Sequence, residues 1–121
     1  MTTRILYVDD EDDIREVAAM ALELDPEFEV RDCGTGAAAV ALAAEWRPAL
    51  ILLDVMMPGM DGPAVLAALR ARAETAAVPV AFITARTGRE DVERLLSLGA
   101  CGVIAKPFDP MTLAERARAL L

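Results

Sequence analysis

The chain contains no histidine, and this absence removes a large part of enzyme chemistry. Without an imidazole group, Ser–His–Asp triads, histidine general bases and histidine-ligated zinc sites are all excluded. Ser97 is the single serine, and it lies in a helix-like run and not in the sharp turn that presents a catalytic serine. Carboxylates, threonines and one lysine, Lys106, are the reactive groups that remain.

Basic residues and cysteines are also scarce. Lysine and arginine number 12 against 20 acidic residues, which gives a net charge of −8. Nucleic-acid phosphates are bound by basic surfaces, so we expect no direct nucleic-acid ligand and favour cations or a basic partner surface.

The two cysteines, Cys33 and Cys101, are isolated in strand-like segments, which predicts small core residues and no disulfide or metal pair.

Long apolar runs are missing as well. The longest one ends at the charge of Asp54, far short of the roughly 20 residues that span a membrane. The first residues lack the apolar stretch of a secretory signal, so we expect a cytoplasmic protein without membrane contact. A length of 121 residues predicts one domain, residues 1–121, because domains commonly have about 100–150 residues.

The chain does contain five alternations of strand and helix. Apolar runs predict strands at residues 5–8, 28–33, 50–53, 78–83 and 101–105. Helical spacing and helix-start signals predict helices at residues 14–22, 37–46 and 63–73, a fourth from the capping-box pair Thr87 and Glu90, and a fifth from Asp109 and Pro110. Five such units without hairpin signals predict a doubly wound α/β domain with a five-stranded parallel sheet.

Polar residues follow four of the predicted strands, at the sheet edge where such folds place their function. Asp9 and Asp10 follow the first strand, and Asp54, Thr84 and Lys106 follow the third, fourth and fifth. Two carboxylates about 4 Å apart repel by roughly 4 kcal/mol at an effective dielectric near 20, so this cluster takes up protons or binds a cation. Oxygen ligands with room for water suit Mg²⁺.

These residue types favour phosphoryl transfer. A carboxylate such as that of Asp54 is a competent nucleophile, while Lys106 and a metal ion would spread the charge on the phosphoryl group. The Thr84 hydroxyl can donate a hydrogen bond to the product. All other basic residues are arginines, so the compact ammonium of Lys106 stands out at this strand end.

The same residues resemble motifs of the response-regulator receiver family, and the resemblance covers nearly the whole chain. It implies a flavodoxin-like (βα)5 fold with strand order 2-1-3-4-5. The matching pieces are the acidic pair Asp9-Asp10, the phosphoacceptor loop at residues 54–62, the hydroxyl and small residue Thr84-Ala85, and the motif Lys106-Pro107-Phe108.

The resemblance also implies roles. Asp54 would be the phosphoacceptor, with Mg²⁺ held by Asp10, Asp54 and the Met56 backbone carbonyl, and by Asp9 through water. The phosphodonor would be a phosphohistidine on a histidine kinase or a histidine phosphotransfer protein, which must be another molecule. The domain would catalyse only its own phosphorylation and dephosphorylation, and would switch the face of the fourth helix, fifth strand and fifth helix toward an unknown downstream effector. Monomer and homodimer both stay open.

One position departs from the family pattern. Family members commonly have tyrosine or phenylalanine three residues before the lysine, where this chain has Val103. A phosphorylation-independent interaction module therefore stays open as an alternative. A dinucleotide-binding site at Gly34 and Gly36 is a second, weaker one, because a complete strand–helix unit with its own acidic edge precedes these glycines.

The peptide bond between Lys106 and Pro107 is predicted to be cis. Lys106 must face Asp54 while the chain reverses within two residues, and a cis bond shortens the distance between successive Cα atoms to about 2.9 Å. The lysine–proline motif of the family commonly has this form. Only about 5% of such bonds are cis in folded proteins, so the prediction is a specific one.

Overall fold

The computed structural model describes residues 2–121. The strands are β1 (Thr3–Val8), β2 (Phe28–Cys33), β3 (Leu50–Asp54), β4 (Val80–Thr84) and β5 (Gly102–Ala105). The helices are α1 (Asp12–Leu22), α2 (Gly36–Trp46), α3 (Gly62–Arg70), α4 (Arg89–Ser97) and α5 (Leu113–Ala119). Strands and helices alternate along the whole chain, as the sequence predicts.

All strand pairs are parallel, and their order is β2-β1-β3-β4-β5. The predicted doubly wound, flavodoxin-like fold is therefore confirmed. Val8 at the end of β1 is paired with Leu53 of β3, and Thr84 at the end of β4 is paired with Ala105 of β5. The carboxyl ends of these four strands consequently form one edge, with the crevice where the chain changes direction between β1 and β3.

The sheet separates two apolar layers. Leu6 and Val8 of β1 point to the side covered by α2, α3 and α4, whereas Ile5 and Tyr7 point to the side covered by α1 and α5. This alternation follows from the two-residue period of a strand. Every residue of β3 and β4 is buried, which explains why their sequences are almost continuously apolar.

Two predicted helix starts are wrong. α4 begins at Arg89 with Gly88 as its N-cap, and no side chain caps it, so the proposed Thr87–Glu90 capping box does not form. α5 begins at Leu113 and not at Asp109. The Asp109 carboxylate accepts a hydrogen bond from the Met111 backbone N–H at 2.9 Å and stabilises a turn there, a conformation that competes with a helix.

The cysteines lie at opposite edges of the sheet, as the strand order predicts. Cys33 ends β2 and is partly buried, and Cys101 is exposed just before β5. The prediction of Cys101 as a core residue is wrong because β5 starts one residue later. Within residues 2–121 no helix combines the length and the hydropathy needed to cross a membrane.

Trp46, the single tryptophan, lies at the end of α2 near the amino edge of the sheet. The guanidinium carbons of Arg4 and Arg31 are 5.6 and 4.9 Å from the centroid of its ring. Arg4 also donates a hydrogen bond from Nη1 to the Trp46 carbonyl at 2.6 Å. These contacts hold the indole against the sheet at the end opposite to the predicted site.

Candidate functional site at the carboxyl edge of the sheet

Three carboxylates meet at the carboxyl edge. Asp9, Asp10 and Asp54 each offer an oxygen, and these oxygens lie within 4.8 Å of one another. Asp9 follows β1 and Asp54 ends β3, which are neighbouring strands. Asp9 is fully buried and Asp54 is 3% exposed, whereas Asp10 faces solvent. The structure thus brings together the carboxylates that the sequence placed at two strand ends.

Lys106 points into this cluster from the first position after β5. Its Nζ lies 3.1 Å from Asp9 Oδ2, 3.4 Å from Glu11 Oε1 and 3.6 Å from Asp54 Oδ2. The following bond to Pro107 is cis, which confirms the sequence prediction. Burial by itself would lower the pKa of Lys106, but the hydrogen bond to Asp9 and the charge of Asp54 outweigh it and raise the pKa.

The electrostatics of Asp54 differ from those of a surface carboxylate. Burial raises its pKa to about 6, the negative charge of Asp9 raises it as well, and Lys106 acts in the opposite direction. Since the ordinary value is 3.8, a measurable fraction of Asp54 is protonated near neutral pH when no metal ion lies beside it, even with Lys106 in place. An adjacent divalent metal ion would return the group to its ionised form.

Thr84 completes the predicted set at the end of β4. Its side chain is buried, and its Oγ1 accepts a hydrogen bond from the Arg86 backbone N–H at 3.0 Å. Because the oxygen is the acceptor in this bond, its proton stays available for donation. Thr84, Asp54 and Lys106 line one pocket of about 490 Å³, together with Met56.

Sequence reasoning missed three groups that hold Asp9. Tyr7 donates a hydrogen bond from its hydroxyl to Asp9 Oδ2 at 3.2 Å, and the Glu11 backbone N–H donates to Oδ1 at 3.0 Å. Arg15 donates from Nη1 to the Asp9 carbonyl at 2.9 Å. Burial raises the pKa of Tyr7, and Asp9 raises it further, so the phenol keeps its proton. The available signal was the position of Tyr7 in β1, two residues before Asp9, which directly follows the strand.

The comparison with known families is decisive. The profile of the response regulator receiver domain matches residues 5–118. The chain belongs to this family. Among curated proteins, the receiver is 40% identical over 121 residues to the DNA-binding response regulator MtrA of Mycolicibacterium smegmatis, covering 100% of the receiver and 51% of MtrA. It is 43% identical to the response regulator PleD of Caulobacter vibrioides, covering 99% of the receiver and 26% of PleD.

Solved structures show the same fold. The chemotaxis response regulator CheY4 of Vibrio cholerae superposes with a TM-score of 0.91 and 31% identity, with both chains covered completely. A response regulator from Desulfuromonas acetoxidans gives a TM-score of 0.86 and 29% identity, with 98% of the receiver and 95% of that chain covered. The receiver therefore spans whole solved chains but about half the length of its MtrA relatives.

The acidic cluster of the receiver fits a magnesium ion. Its ligand atoms are carboxylate oxygens, the donor type that hard divalent cations prefer, and the charges of Asp9, Asp10 and Asp54 exceed the single positive charge of Lys106. The exposure of Asp10 leaves room for water, which magnesium retains. Met56 lines the same pocket two residues after Asp54, in the loop that follows β3.

The glycines of the dinucleotide alternative serve packing in the receiver. A Cβ on Gly36 would lie 2.6 Å from Met60 Cβ and 2.7 Å from Val65 Cγ2, so this glycine allows α2 to approach α3. Gly34 is covered by the Arg15 guanidinium, 2.7 Å from the Cβ it would carry. Both glycines therefore have packing roles, and membership of the receiver family argues against the dinucleotide alternative.

The α4 side of the pocket contains no aromatic side chain among the described residues that line its cavity. Val103 in β5 is partly buried and packs against the core layer under α4, which includes Leu95. A second cavity of about 210 Å³ lies beside Thr84, and its walls include Leu95 and Arg86. The position where the family commonly carries an aromatic side chain therefore holds a small, branched one.

Proposed function

We propose that Asp54 is the phosphoacceptor of this receiver and takes a phosphoryl group from a phosphohistidine on a separate histidine kinase or histidine phosphotransfer protein. The observation that carries the proposal is the position of Asp54. Its carboxylate lies 3.6 Å from the Lys106 ammonium, inside the acidic cluster and at the wall of an open pocket.

The reaction forms one bond and breaks one. An oxygen of Asp54 attacks phosphorus, an O–P bond forms, and the P–N bond to the donor imidazole breaks. The electron pair returns to the imidazole nitrogen, which takes up a proton. Lys106 then binds a phosphoryl oxygen through its ammonium, and Thr84 donates its hydroxyl proton to another.

The magnesium ion that fits the cluster would neutralise charge on the phosphoryl oxygens. We assign its ligands to Asp10, Asp54 and the Met56 backbone carbonyl, with Asp9 acting through water. The ion would also favour the ionised form of Asp54, because a metal ion beside the carboxylate opposes the effect of burial on its pKa.

The consequence of phosphorylation is a signal and not a released product. We propose that residues 1–121 form one cytoplasmic receiver domain that catalyses only its own phosphorylation and dephosphorylation. The altered surface would be the α4–β5–α5 face, which a downstream effector would bind.

MtrA carries the words DNA-binding in its name, and our chain spans about half of that protein. The net charge of −8 supports an effector other than nucleic acid bound directly to the receiver.

The test is phosphate incorporation from a phosphohistidine donor in the presence of Mg²⁺. Asp54→Asn should abolish incorporation and leave the fold unchanged, because asparagine cannot form the acyl phosphate. Asp61→Asn is the matched control in the same loop: Asp61 caps α3 by accepting a hydrogen bond from the Ala64 N–H at 2.9 Å, and asparagine caps equally well. Labelling of Asp54→Asn at wild-type stoichiometry would contradict the assignment and point to Asp9 or Asp10.

A phosphorylation-independent interaction module is the second candidate, and Val103 is the observation that favours it. This candidate predicts that the wild-type chain incorporates no phosphate, and that Mg²⁺ with a phosphoryl analogue changes nothing on the α4–β5–α5 face. The same labelling experiment therefore distinguishes the two functions.

A further inference from the structure

Tyr7 brings the single phenol of the chain to the acidic pocket. The side chain is fully buried in β1 and points to the same side of the strand as Asp9, two residues later. Its hydroxyl donates to Asp9 Oδ2 at 3.2 Å. Its ring meets the Phe108 ring edge-on, with centroids 6.3 Å apart and an interplanar angle of 69°. The ring is therefore fixed by the core and by Phe108.

Asp9 depends on protein donors because it is fully buried. Its Oδ1 accepts from the Glu11 backbone N–H, and its Oδ2 accepts from both Tyr7 and Lys106. The carboxylate has no exposed surface, so bulk solvent does not replace a donor that leaves Oδ2; the water that would link Asp9 to magnesium belongs to the metal site. Loss of a donor from a buried carboxylate is costly, so its orientation depends on which donors stay.

Of the two side chains that donate to Asp9 Oδ2, only Lys106 has a second acceptor within its range. Its Nζ is 3.1 Å from Asp9 and 3.6 Å from Asp54, and a phosphoryl group on Asp54 would attract the ammonium. The Tyr7 hydroxyl cannot turn to another acceptor, because its ring is fully buried and packed against Phe108. The phenol is therefore the donor that remains on Oδ2 when the ammonium turns to the phosphoryl oxygens.

We propose that Tyr7 is a positioning residue of this receiver, whose hydroxyl holds the Asp9 carboxylate in its metal-binding orientation while Lys106 engages the phosphoryl group. This inference rests on the proposed function of Asp54. It adds a role for a residue that neither touches the phosphoryl group nor binds the metal.

Tyr7→Phe removes one oxygen and keeps the ring, its burial and its edge contact with Phe108. Calorimetric titration with Mg²⁺ alone, and then with beryllofluoride at saturating Mg²⁺, measures the effect. We expect Mg²⁺ affinity to fall by up to about tenfold, since partners that orient ligand carboxylates commonly matter by this factor or more. Beryllofluoride affinity should fall by a larger factor, because Lys106 then leaves Oδ2 and no side-chain donor remains there.

Thr75→Val is the matched control for the loss of a buried hydroxyl. Thr75 is 2% exposed and donates to the Leu69 carbonyl at 2.6 Å, in the turn between α3 and β4 at the other end of the sheet. This variant should lose stability and keep both affinities. Equal effects of the two substitutions on binding would show that any lost buried hydroxyl suffices, and would overturn the role of Tyr7.

The absorption band of Tyr7 gives a second readout that needs no folded variant. When Lys106 leaves Oδ2, the carboxylate becomes a stronger acceptor for the phenol, so the tyrosine band of the wild type should move to longer wavelength on addition of Mg²⁺ and beryllofluoride. Because Tyr7 is the single tyrosine of the chain, the band needs no further assignment. A wild-type band that stays in place while beryllofluoride binds would overturn the inference.

The outcomes separate the two proposals. A wild-type chain that binds neither Mg²⁺ nor beryllofluoride contradicts the proposed function and this inference with it. A wild-type chain that binds both, together with unchanged affinities in Tyr7→Phe, contradicts only the positioning role.

Discussion

The Asp54 pocket has two sides that differ in their packing and hydrogen bonds. One side, the β1–β5 flank, is formed by Tyr7 and Asp9 at the end of β1 and by the segment after β5; the other, the β4–α4 flank, is formed by the end of β4 and by α4. On the β1–β5 flank, Asp9 is buried among the donors Tyr7 and Lys106, and Phe108 packs on the Tyr7 ring. On the β4–α4 flank, Thr84 accepts one hydrogen bond from a backbone N–H, and the walls of the cavity beside it combine apolar side chains with Arg86, Asp91 and Arg94. Buried, hydrogen-bonded groups resist rearrangement, whereas side chains around an open cavity repack at lower cost. We therefore expect the first flank to keep its charges in place and the second to move.

Lys106→Met should break the β1–β5 flank with the largest effect. The substitution keeps the length of the side chain and removes the counter-charge of Asp9 and Asp54, which leaves buried carboxylates without their cation. We expect the free energy of unfolding to fall by about 2–4 kcal/mol, measured by urea denaturation with EDTA at pH 8.

Arg89→Met on the other flank is the control for this loss of charge. Arg89 pairs with Glu93 at 3.1 Å, but the two side chains are 90% and 64% exposed. An exposed pair contributes little, so we expect a change of at most about 0.5 kcal/mol. Comparable losses in the two variants would contradict the distinction between the flanks.

Asp54→Asn should change how the free energy of unfolding depends on pH, because it removes a buried carboxylate from the acidic cluster. The pKa of Asp54 is raised to about 6 in the folded state, so the folded chain binds the proton more tightly and wild-type stability falls as pH rises from about 4 to 6. Asparagine carries no charge at any pH. Without Mg²⁺ the variant should match the wild type near pH 4 and exceed it by about 2 kcal/mol at pH 8.

Urea denaturation at a series of pH values in EDTA measures this difference. The gap should close when Mg²⁺ is added to the wild type, because the cation offsets the repulsion. A variant less stable than the wild type at pH 8 would mean that Lys106 stabilises ionised Asp54 more than burial opposes it.

Val103→Phe tests the β4–α4 flank and should have the smallest effect on stability of the substitutions considered. Placing an aromatic ring in β5 should fill space near α4 and couple this flank to the pocket. We expect stability within about 1 kcal/mol of the wild type, together with a larger change in amide hydrogen exchange of α4 when Mg²⁺ and beryllofluoride bind. Identical exchange in α4 for both proteins would show that the residue at 103 does not limit movement of this flank.

Much of the fold follows from the sequence because its strands are apolar runs with clear ends. The strand predicted at residues 28–33 has those bounds in the structure, and the third extends by one residue to Asp54. Helix starts were harder, since polar side chains near a terminus can cap a helix or close a turn. Thr87 and Asp109 have the right chemistry for caps, but α4 starts later, with Glu90 in its first turn, and Asp109 closes a turn instead.

The parts of the site that follow from strand order were predictable from the sequence. The contacts that depend on side-chain length or on the path of a loop were not. Parallel strands bring their carboxyl ends to one edge, which was enough to place Asp54 and Lys106 together. Tyr7 belongs to the apolar run at residues 5–8, which predicted a strand and no role in the site. The contact of its hydroxyl with Asp9 depends on the length of the phenol side chain, which the strand pattern does not show. The ion pair of Glu11 with Lys106 depends on the path of the segment between β1 and α1, which carries Glu11 and which no local pattern specifies.

Trp46 gives the receiver an internal fluorescence standard. The residue is 5% exposed, its ring lies near the guanidinium groups of Arg4 and Arg31, and it packs on the opposite side of the sheet from α1 and α5. Its emission should therefore report global unfolding and stay constant while the acidic pocket fills. A change in emission on addition of Mg²⁺ would mean that occupancy of the pocket is felt through the whole α2 layer, a distance that local side-chain rearrangement does not cover.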